Sequence, residues 1–215
     1  MLTRSAEDLK GKSEIFLRKY VIGIDEVGRG PLAGPVAVGA FWCEKKLLKN
    51  RFRGVKDSKR LSPAEREKWY EKILAARRSG AADFSVTFVF AETIDRIGIS
   101  AALRRAIAGC LIKLKVKPSR SHILLDGGIK APVKFSEQET IIKGDEKEPV
   151  IALASIVAKV TRDRLMARLS RKYPDYGFAE HKGYGTRKHC LAIKKFGLCE
   201  IHRRSFLKRF TRLPS

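Results

Sequence analysis

The chain of 215 residues carries 46 Lys and Arg against 23 Asp and Glu, a formal charge of +23, and 44% of its residues are hydrophobic. That apolar content supports a packed core and argues against a disordered chain, while the charge far exceeds the roughly 2–8 units that solubility requires of a small domain. We therefore expect a polyanionic partner, nucleic acid before an anionic membrane. The alternative is a basic surface without a specific partner.

Hydropathy and cysteine usage favour a cytoplasmic protein. No apolar run approaches the roughly 20 residues of a membrane helix, and the first 19 residues lack the apolar core of a signal peptide. The four cysteines, at positions 43, 110, 190 and 199, form no Cys-x-x-Cys pair. Zinc ribbons and redox motifs are therefore unsupported, and free thiols in a reducing compartment are expected.

Taken in order, the elements indicate a mixed α/β domain with one central sheet. A polar N-terminal extension covers 1–19, an α/β domain 20–172, and a basic C-terminal helical segment packed on it 173–215. The predicted strands are 20–27, 36–43, 83–90, 123–125 and 140–143, and the predicted helices are 63–78, 99–114, 149–172 and 187–197.

Helix starts and burial can be predicted at particular residues. Ser62, Pro63 and Glu65 have the spacing of a capping box with proline in the first turn, and Thr186 can cap the last helix. The first half of the helix over 149–172 is nearly all apolar, which predicts burial against a sheet. The arginines of its second half, from Arg162 onward, predict exposure to solvent.

Four carboxylates follow apolar runs and stand close to glycine: Asp25, Glu26, Asp126 and Asp145. Ends of strands in an α/β sheet gather at one edge, where clustered carboxylates repel one another unless a cation is present. Oxygen ligands without His or Cys select Mg²⁺ or Mn²⁺. Alternatives are a solvated strand end and, for Asp145, a charge at a helix N-terminus. Adjacent strand residues point to opposite sides, so Asp25 and Glu26 share one metal centre only if the strand ends or twists there.

The carboxylate set leads to a mechanistic expectation. Two Mg²⁺ or Mn²⁺ ions about 3.5–4 Å apart would clamp the attacking and leaving oxygens of a phosphoryl displacement. The Gly28-Arg29-Gly30 turn beside them can approach a ligand closely, because glycine has no Cβ. Arg29 can pair with a phosphate or with the acids. The stretch lacks the Walker pattern of nucleotide-binding loops.

With these residues assembled, the sequence resembles ribonuclease HII, the type 2 ribonuclease H family, from Tyr20 to about Phe206. The motifs that carry the resemblance are 23-GIDEVGRGPLAGPV-36, 57-DSK-59, 125-LDG-127, 144-GD-145, 154-ASIVAKVTRD-163, 181-HKGYGT-186 and 202-HRRSF-206. One departure is Gly98, which stands where the family usually has Asn. We expect that exchange to affect the start of the following helix rather than the chemistry.

The resemblance implies a ribonuclease H-like fold, cleavage of the RNA strand of RNA–DNA hybrids, and incision on the 5′ side of ribonucleotides embedded in duplex DNA. It implies that Asp25, Glu26, Asp126 and Asp145 are the catalytic, metal-binding acids. It also implies that Gly28, Arg29, Gly30 and Tyr184 bind the junction between ribonucleotide and deoxyribonucleotide, where the 2′-hydroxyl distinguishes RNA from DNA. Replacing Gly28 or Arg29 is expected to harm junction selectivity and to leave the fold and metal binding largely intact.

Basic residues concentrate in 96–125 and 181–215, which predicts contacts to backbone phosphates and binding that weakens steeply with salt. The candidates for phosphate contacts are Lys59, Lys159, Lys182 and Arg204. Alternative roles are solvated charge for each of them and neutralisation of the acids for Lys159. Asp163 is expected to pair with an arginine, and His181 and His189 to be ordinary loop or helix residues.

We expect a monomer that binds RNA–DNA hybrids and DNA duplexes containing ribonucleotides and does not associate with a membrane. Two alternative functions are another metal nuclease of the same fold and a non-catalytic module that binds RNA or hybrids. Incision at a single embedded ribonucleotide argues against the first alternative, whereas equal incision of an all-DNA duplex would support it. Loss of activity in an Asp126→Asn variant argues against the second alternative.

Overall fold

Five strands form one mixed sheet in the order β3-β2-β1-β4-β5 in the computed structural model, which describes residues 20–55, 58–118 and 121–207. β1, β2 and β3 pair antiparallel, β4 lies parallel to β1, and β5 parallel to β4. The expected mixed α/β architecture is confirmed. The strands are β1 (Tyr20–Val27), β2 (Val36–Glu44), β3 (Ala82–Val89), β4 (His122–Asp126) and β5 (Gln138–Ile141).

Nine α-helices lie in the described ranges, together with two short 3₁₀ turns, Ser58–Arg60 and Pro174–Tyr176. None of these helices combines the length and hydropathy needed to span a bilayer. The helices are α1 (Lys45–Asn50), α2 (Pro63–Arg78), α3 (Ala91–Ile97), α4 (Ile99–Lys113), α5 (Gly144–Lys147), α6 (Pro149–Lys172), α7 (Phe178–His181), α8 (Arg187–Phe196) and α9 (Arg204–Leu207).

Local sequence explains where two of these helices begin. At the start of α2 the Ser62 hydroxyl accepts a hydrogen bond from the Glu65 amide, and the Glu65 carboxylate accepts one from the Ser62 amide. This is the reciprocal capping box that the spacing predicts. At the start of α8 the Thr186 hydroxyl accepts from the His189 amide. Both predicted caps are confirmed.

Helix α6 lies directly on the sheet because glycines remove the side chains that would separate them. A Cβ on Gly23 of β1 would lie 2.1 Å from the Val150 carbonyl oxygen, and one on Gly39 of β2 would lie 2.5 Å from that of Ala154. One core layer forms between the sheet and α6 with α2, and a second lies under α4 on the opposite face. This close approach brings the middle of α6 next to the end of β1.

The C-terminal segment is joined to the loop between β1 and β2 by main-chain hydrogen bonds. The amides of Leu32 and Ala33 donate to the Gly183 carbonyl, and the Gly34 amide donates to that of Ile201. Ala33 and Met166 also share a small core with Tyr176 and Phe178. The expected boundary after residue 172 coincides with the end of α6, and the division at that point stays a prediction.

Two expectations about the elements are wrong in detail, and the shortest helices were not predicted. The last strand ends at Ile141 instead of residue 143, because Ile142 is 77% exposed and Lys143 adopts a left-handed conformation with φ 55°. Helix α3 was not predicted, since its seven residues are too few to show a helical period. The second half of α6 is not uniformly exposed, because Arg162 is fully buried.

Candidate active site

Three carboxylates meet at one edge of the sheet. Asp25 lies near the end of β1, Asp126 ends the parallel neighbour β4, and Asp145 lies in the first turn of α5. One oxygen atom from each lies within 4.8 Å of the others. Three carboxylate oxygens without His or Cys are the donor set that a hard divalent cation prefers. The residues therefore fit the divalent metal site that the sequence predicts.

Each of the three carboxylates is held by a specific donor. Asp25 accepts a hydrogen bond from the Glu26 amide and Asp126 accepts one from the Gly144 amide, both at 2.7 Å. Asp145, whose side chain is 3% exposed, forms an ion pair with Lys59 at 2.7 Å. The Lys59 side chain is 73% exposed, so this ion pair links a buried carboxylate with a lysine that is largely exposed to solvent.

Burial opposes ionisation of the acids at this edge. It raises the pKa of Asp25 to about 8, with smaller contributions from the charges of Glu26 and Asp126, while the Ser155 hydroxyl opposes the shift. Burial also raises the pKa of Glu26, against the lowering effect of Arg29. Crowding and burial make these carboxyl groups harder to ionise. A bound divalent cation would supply the positive charge that favours their ionised form, so the shifts fit a metal site.

Glu26 lies beside this three-oxygen group and is not a member of it. Its position follows from strand alternation, which sends its side chain away from that of Asp25. The Glu26 carboxylate lies 3.8 Å from the Arg29 guanidinium. The negative charge of Asp126 acts on its pKa, so the two carboxylates are electrostatic neighbours. Whether Glu26 is a metal ligand stays a prediction.

Two serines that sequence reasoning did not single out support the acids. Ser155 of α6 is hydrogen-bonded to Asp25, and its hydroxyl oxygen lies 2.7 Å from that of Ser58. Both serines are buried, and Ser58 precedes the Lys59 that pairs with Asp145. The motifs 57-DSK-59 and 154-ASIVAKVTRD-163 contain these serines, but a hydroxyl beside a buried strand end is visible only in three dimensions. Asp57 lies outside the described residues.

Two buried arginines shape the turn that follows β1. Arg203 donates hydrogen bonds to the carbonyl oxygens of Gly28, Arg29 and Gly34 at 2.7–2.9 Å, and Arg162 donates to that of Pro35 at 2.9 Å. Burial, reinforced by the charge of Arg162, lowers the pKa of Arg203 to about 9. Three carbonyl dipoles stabilise the Arg203 charge, while Arg162 has one such partner. Because these partners are main-chain groups, no carboxylate pattern in the sequence indicated either arginine.

The two glycines of the turn differ in their surroundings. Gly28 has φ +81°, and a Cβ there would lie 2.1 Å from the Arg162 Nε atom, whereas a Cβ on Gly30 would meet nothing within 4 Å. The expectation that Gly28 can be replaced without disturbing the fold is therefore wrong, because Arg162 fills the space that a side chain needs. Arg29 is exposed, and the same expectation for Arg29 agrees with its position.

Tyr184 lies over this region. Its side chain is 40% exposed, and its ring centroid lies 5.9 Å from the Arg162 guanidinium. The terminal nitrogens of Arg162 have no hydrogen-bond partner among the described residues. The Tyr184 amide donates to the His181 carbonyl, and its own carbonyl lies 2.9 Å from His189 Nδ1. The Tyr184 ring is therefore exposed, while contacts with His181 and His189 of the same C-terminal segment fix its backbone.

The remaining predicted basic residues have different surroundings. Lys159 forms an ion pair with Asp163 at 3.0 Å, so the expectation that Asp163 pairs with an arginine is wrong. Lys182 donates to the Ala179 carbonyl. The Arg204 amide donates to Asp95, while the Arg204 side chain is exposed. Of the four, Lys59 alone contacts one of the three clustered acids.

The histidines of the C-terminal segment pack together beneath Tyr184. His181 and His189 stack with ring centroids 4.5 Å apart, and His189 Nε2 lies 3.1 Å from His202 Nε2. His189 and His202 are almost completely buried, and burial lowers the pKa of His189 to about 4. These packing contacts and the positions of His181 and His189 in α7 and α8 agree with the expectation that they are ordinary loop or helix residues.

Comparison with known proteins agrees with this geometry. The family model described as Ribonuclease HII matches residues 22–209. A ribonuclease HII of Caldicellulosiruptor bescii is 45% identical over 195 residues, which cover 91% of this chain and 90% of that protein. Among solved structures, ribonuclease HII in the PCNA complex of Archaeoglobus fulgidus matches with a TM-score of 0.71 and 28% identity, over 91% of this chain and 98% of that one.

A second solved structure supports the fold. Ribonuclease H2 of Pyrococcus horikoshii matches with a TM-score of 0.68 and 27% identity, covering 90% of this chain and all of the other. The family match spans the strand ends that carry the three acids, the turn after β1 and the loop of Tyr184. The chain therefore belongs to the ribonuclease HII family.

Proposed function

We propose that this chain hydrolyses the RNA strand of RNA–DNA hybrids and incises duplex DNA on the 5′ side of embedded ribonucleotides. The observation that carries the proposal is that the three-carboxylate group and the turn expected to contact the substrate sugar are neighbours in the chain. The three-carboxylate group includes Asp25, and the turn of Gly28 to Gly30 follows three residues later on the same chain. Membership of the ribonuclease HII family supports the assignment.

The proposed metal ligands are Asp25, Asp126 and Asp145, with Glu26 completing a site for two Mg²⁺ or Mn²⁺ ions. When bound, such ions supply an activated water and stabilise the charge on the leaving 3′ oxygen. The products would be a 3′-hydroxyl and a 5′-phosphate. The crowding of the three acids and the burial of Asp25 and Asp145 support this assignment, since three crowded and largely buried carboxylates need cationic charge nearby.

The chain's own residues orient this site. Ser155 holds Asp25 from α6, Ser58 of the adjacent 3₁₀ turn holds Ser155, and Lys59 of the same turn holds Asp145. Hydrogen-bond and ion-pair partners of this kind fix the direction in which the carboxylate oxygens point. Lys59 also places a positive charge at the exposed rim, where it can contact the substrate backbone.

The turn after β1 is suited to contact the sugar of a ribonucleotide. Arg203 binds the carbonyl oxygens of Gly28 and Arg29 from inside. The amide groups of Arg29 and Gly30 donate to no residue within the described ranges. We propose that these amides, with the uncrowded Gly30, bind the 2′-hydroxyl side of the substrate, and that the exposed Tyr184 ring stacks on the neighbouring deoxyribose.

The surrounding basic residues would hold the backbone. Lys182 and Arg204 lie in the same C-terminal segment as Tyr184, and Lys159 lies on α6 in an ion pair with Asp163. We propose that they contact phosphates without reading sequence. Every group named lies in one chain, so the proposed active unit is a monomer, which sedimentation of the purified protein tests.

The decisive experiment is cleavage of a labelled DNA duplex that carries one ribonucleotide, with Mg²⁺ and with Mn²⁺, and mapping of the cut. Incision on the 5′ side of the ribonucleotide, with a matched all-DNA duplex left intact, is expected. Equal cutting of the all-DNA duplex would favour a DNA nuclease of the same fold. Tight binding of the hybrid without cleavage in either metal would favour a binding module.

A further inference from the structure

A second cleft lies next to the acidic edge, on the other side of Arg29. It encloses about 340 Å³ and is lined by Arg29, Ser100, Arg104, Gly128, Ile129 and Lys130. Three of these six residues are cationic and none is acidic. The three cations come from separate parts of the chain, namely the turn after β1, helix α4 and the segment after β4.

The cleft lies beside the acidic site, and Arg29 contacts both. Arg29 lines the cleft and also lies 3.8 Å from the Glu26 carboxylate. Gly128 follows Asp126 by two residues, so the same loop leaves one site and enters the other. A nucleic acid strand bound at the acids therefore passes close to the cleft.

Arg29 of this cleft has Glu26 as a partner at 3.8 Å, but its other two cations lack the glutamate partner that several exposed cations elsewhere have. Lys172, Lys188 and Arg164 each form an ion pair with a glutamate. Within the part of the chain that the structure describes, Arg104 and Lys130 form no ion pair. Gathering like charges without a counter-ion is unfavourable, and an anionic ligand removes that cost.

The lining indicates which anion fits. Guanidinium groups bind phosphate with paired hydrogen bonds, and a lysine adds a point charge. The Ser100 hydroxyl can donate a further hydrogen bond, and Gly128 presents no side chain that would prevent close approach. The lining has no aromatic ring on which a base could stack. These features favour a phosphate group over a base.

We infer that this cleft binds a backbone phosphate of the substrate duplex, separate from the phosphate that is cut. The inference rests on the proposed function, since it takes the ligand to be an RNA–DNA duplex. The cleft would hold the duplex in register beside the acids. Because a phosphate is common to all sequences, the contact would raise affinity without adding sequence preference.

The test compares two double variants that each remove two positive charges. Arg104→Gln with Lys130→Gln empties the cleft of two cations, while Lys68→Gln with Arg78→Gln removes two exposed charges on α2, outside the cleft. Binding of a fluorescein-labelled RNA–DNA hybrid is measured by anisotropy in EDTA over a range of NaCl concentrations, and thermal melting checks that both variants fold.

We expect the cleft variant to bind roughly tenfold more weakly at moderate salt, and its plot of log K against log salt to be shallower by about one, as the loss of one phosphate contact requires. An Arg104→Lys variant keeps the charge and should retain most of the affinity. The control should show smaller changes and keep wild-type cleavage. Unchanged binding by the cleft variant, or equal weakening by the control, would overturn the inference. A wild-type protein that binds but cuts no hybrid would instead overturn the proposed function.

Discussion

At the scale of single residues, Asp126 combines a structural and a chemical role. Its carboxylate accepts a hydrogen bond from the Gly144 amide and contributes an oxygen to the three-acid group. Asparagine has the same shape and keeps a carbonyl oxygen for the amide, but it lacks the negative charge. Asp126→Asn therefore separates the chemistry of this position from its contribution to the fold.

We predict that Asp126→Asn lowers hybrid cleavage by at least about a hundredfold, which corresponds to the several kcal/mol that a correctly held divalent cation contributes. The free energy of unfolding without metal should be no lower than that of the wild type. The measurements are single-turnover cleavage in Mn²⁺ and urea unfolding in EDTA. Full activity in the variant would remove Asp126 from the site.

Gly28 and Gly30 provide a matched pair for the turn. Gly28→Ala places a methyl group against the buried Arg162 at a left-handed φ, whereas Gly30→Ala points into open space. We predict that Gly28→Ala destabilises the protein by about 1–3 kcal/mol, and that Gly30→Ala changes stability by less than about 0.5 kcal/mol. Chemical denaturation measures both, and equal losses would contradict the proposed packing of Arg162.

At the scale of elements, the junction between α3 and α4 depends on one glycine. Gly98 ends α3 and begins α4, with φ 76° and ψ 159°, and no side chain caps α4. That backbone conformation is accessible essentially to glycine alone. The helix start at Gly98 therefore relies on the backbone freedom of glycine. That the exchange from Asn affects this helix start stays a prediction.

We predict that Gly98→Ala destabilises the protein by about 1–3 kcal/mol, although its Cβ would contact nothing within 4 Å. The cost is backbone strain rather than a clash. Gly54→Ala, at a comparable φ in another exposed turn, tests whether strain alone is sufficient. Thermal unfolding measures both variants. A Gly98→Ala protein as stable as the wild type would show that the junction can relax.

At the scale of the whole molecule, the C-terminal segment couples stability to pH. Folded His189 has a pKa of about 4, below its ordinary value of 6.5, because it is buried, and burial also lowers the pKa of His202. The unfolded chain therefore takes up these protons first as the pH falls. The stability that the neutral imidazoles contribute is complete above about pH 6.5 and is lost as the pH falls toward 4.

We predict that wild-type stability falls by about 2 kcal/mol more between about pH 7 and pH 5 than that of a His189→Gln variant. Urea unfolding at the two pH values provides the measurement, and His122→Gln, outside this cluster, is the control. Parallel pH dependences for wild type and His189→Gln would contradict the assignment of this loss to His189.

Much of the molecule was predictable from local sequence. The apolar runs of β1 and β4, the capping box at Ser62 and the extent of α6 follow from periodicity and capping, which depend on residues close in the chain. Asp25 and Asp126 were predictable for the same reason, since each follows a buried run. The glycine turn after β1 was equally visible.

The tertiary structure alone decided which charges are buried and how the acids are held. Arg162 and Arg203 bind carbonyl oxygens 127 to 175 residues away, and Ser155 contacts Asp25 across the interface between a helix and the sheet. Hydropathy predicts burial of apolar side chains, but a buried guanidinium is stabilised by dipoles that only the folded chain assembles. The sequence by itself determined the acids and the turn, and the fold determined their supports.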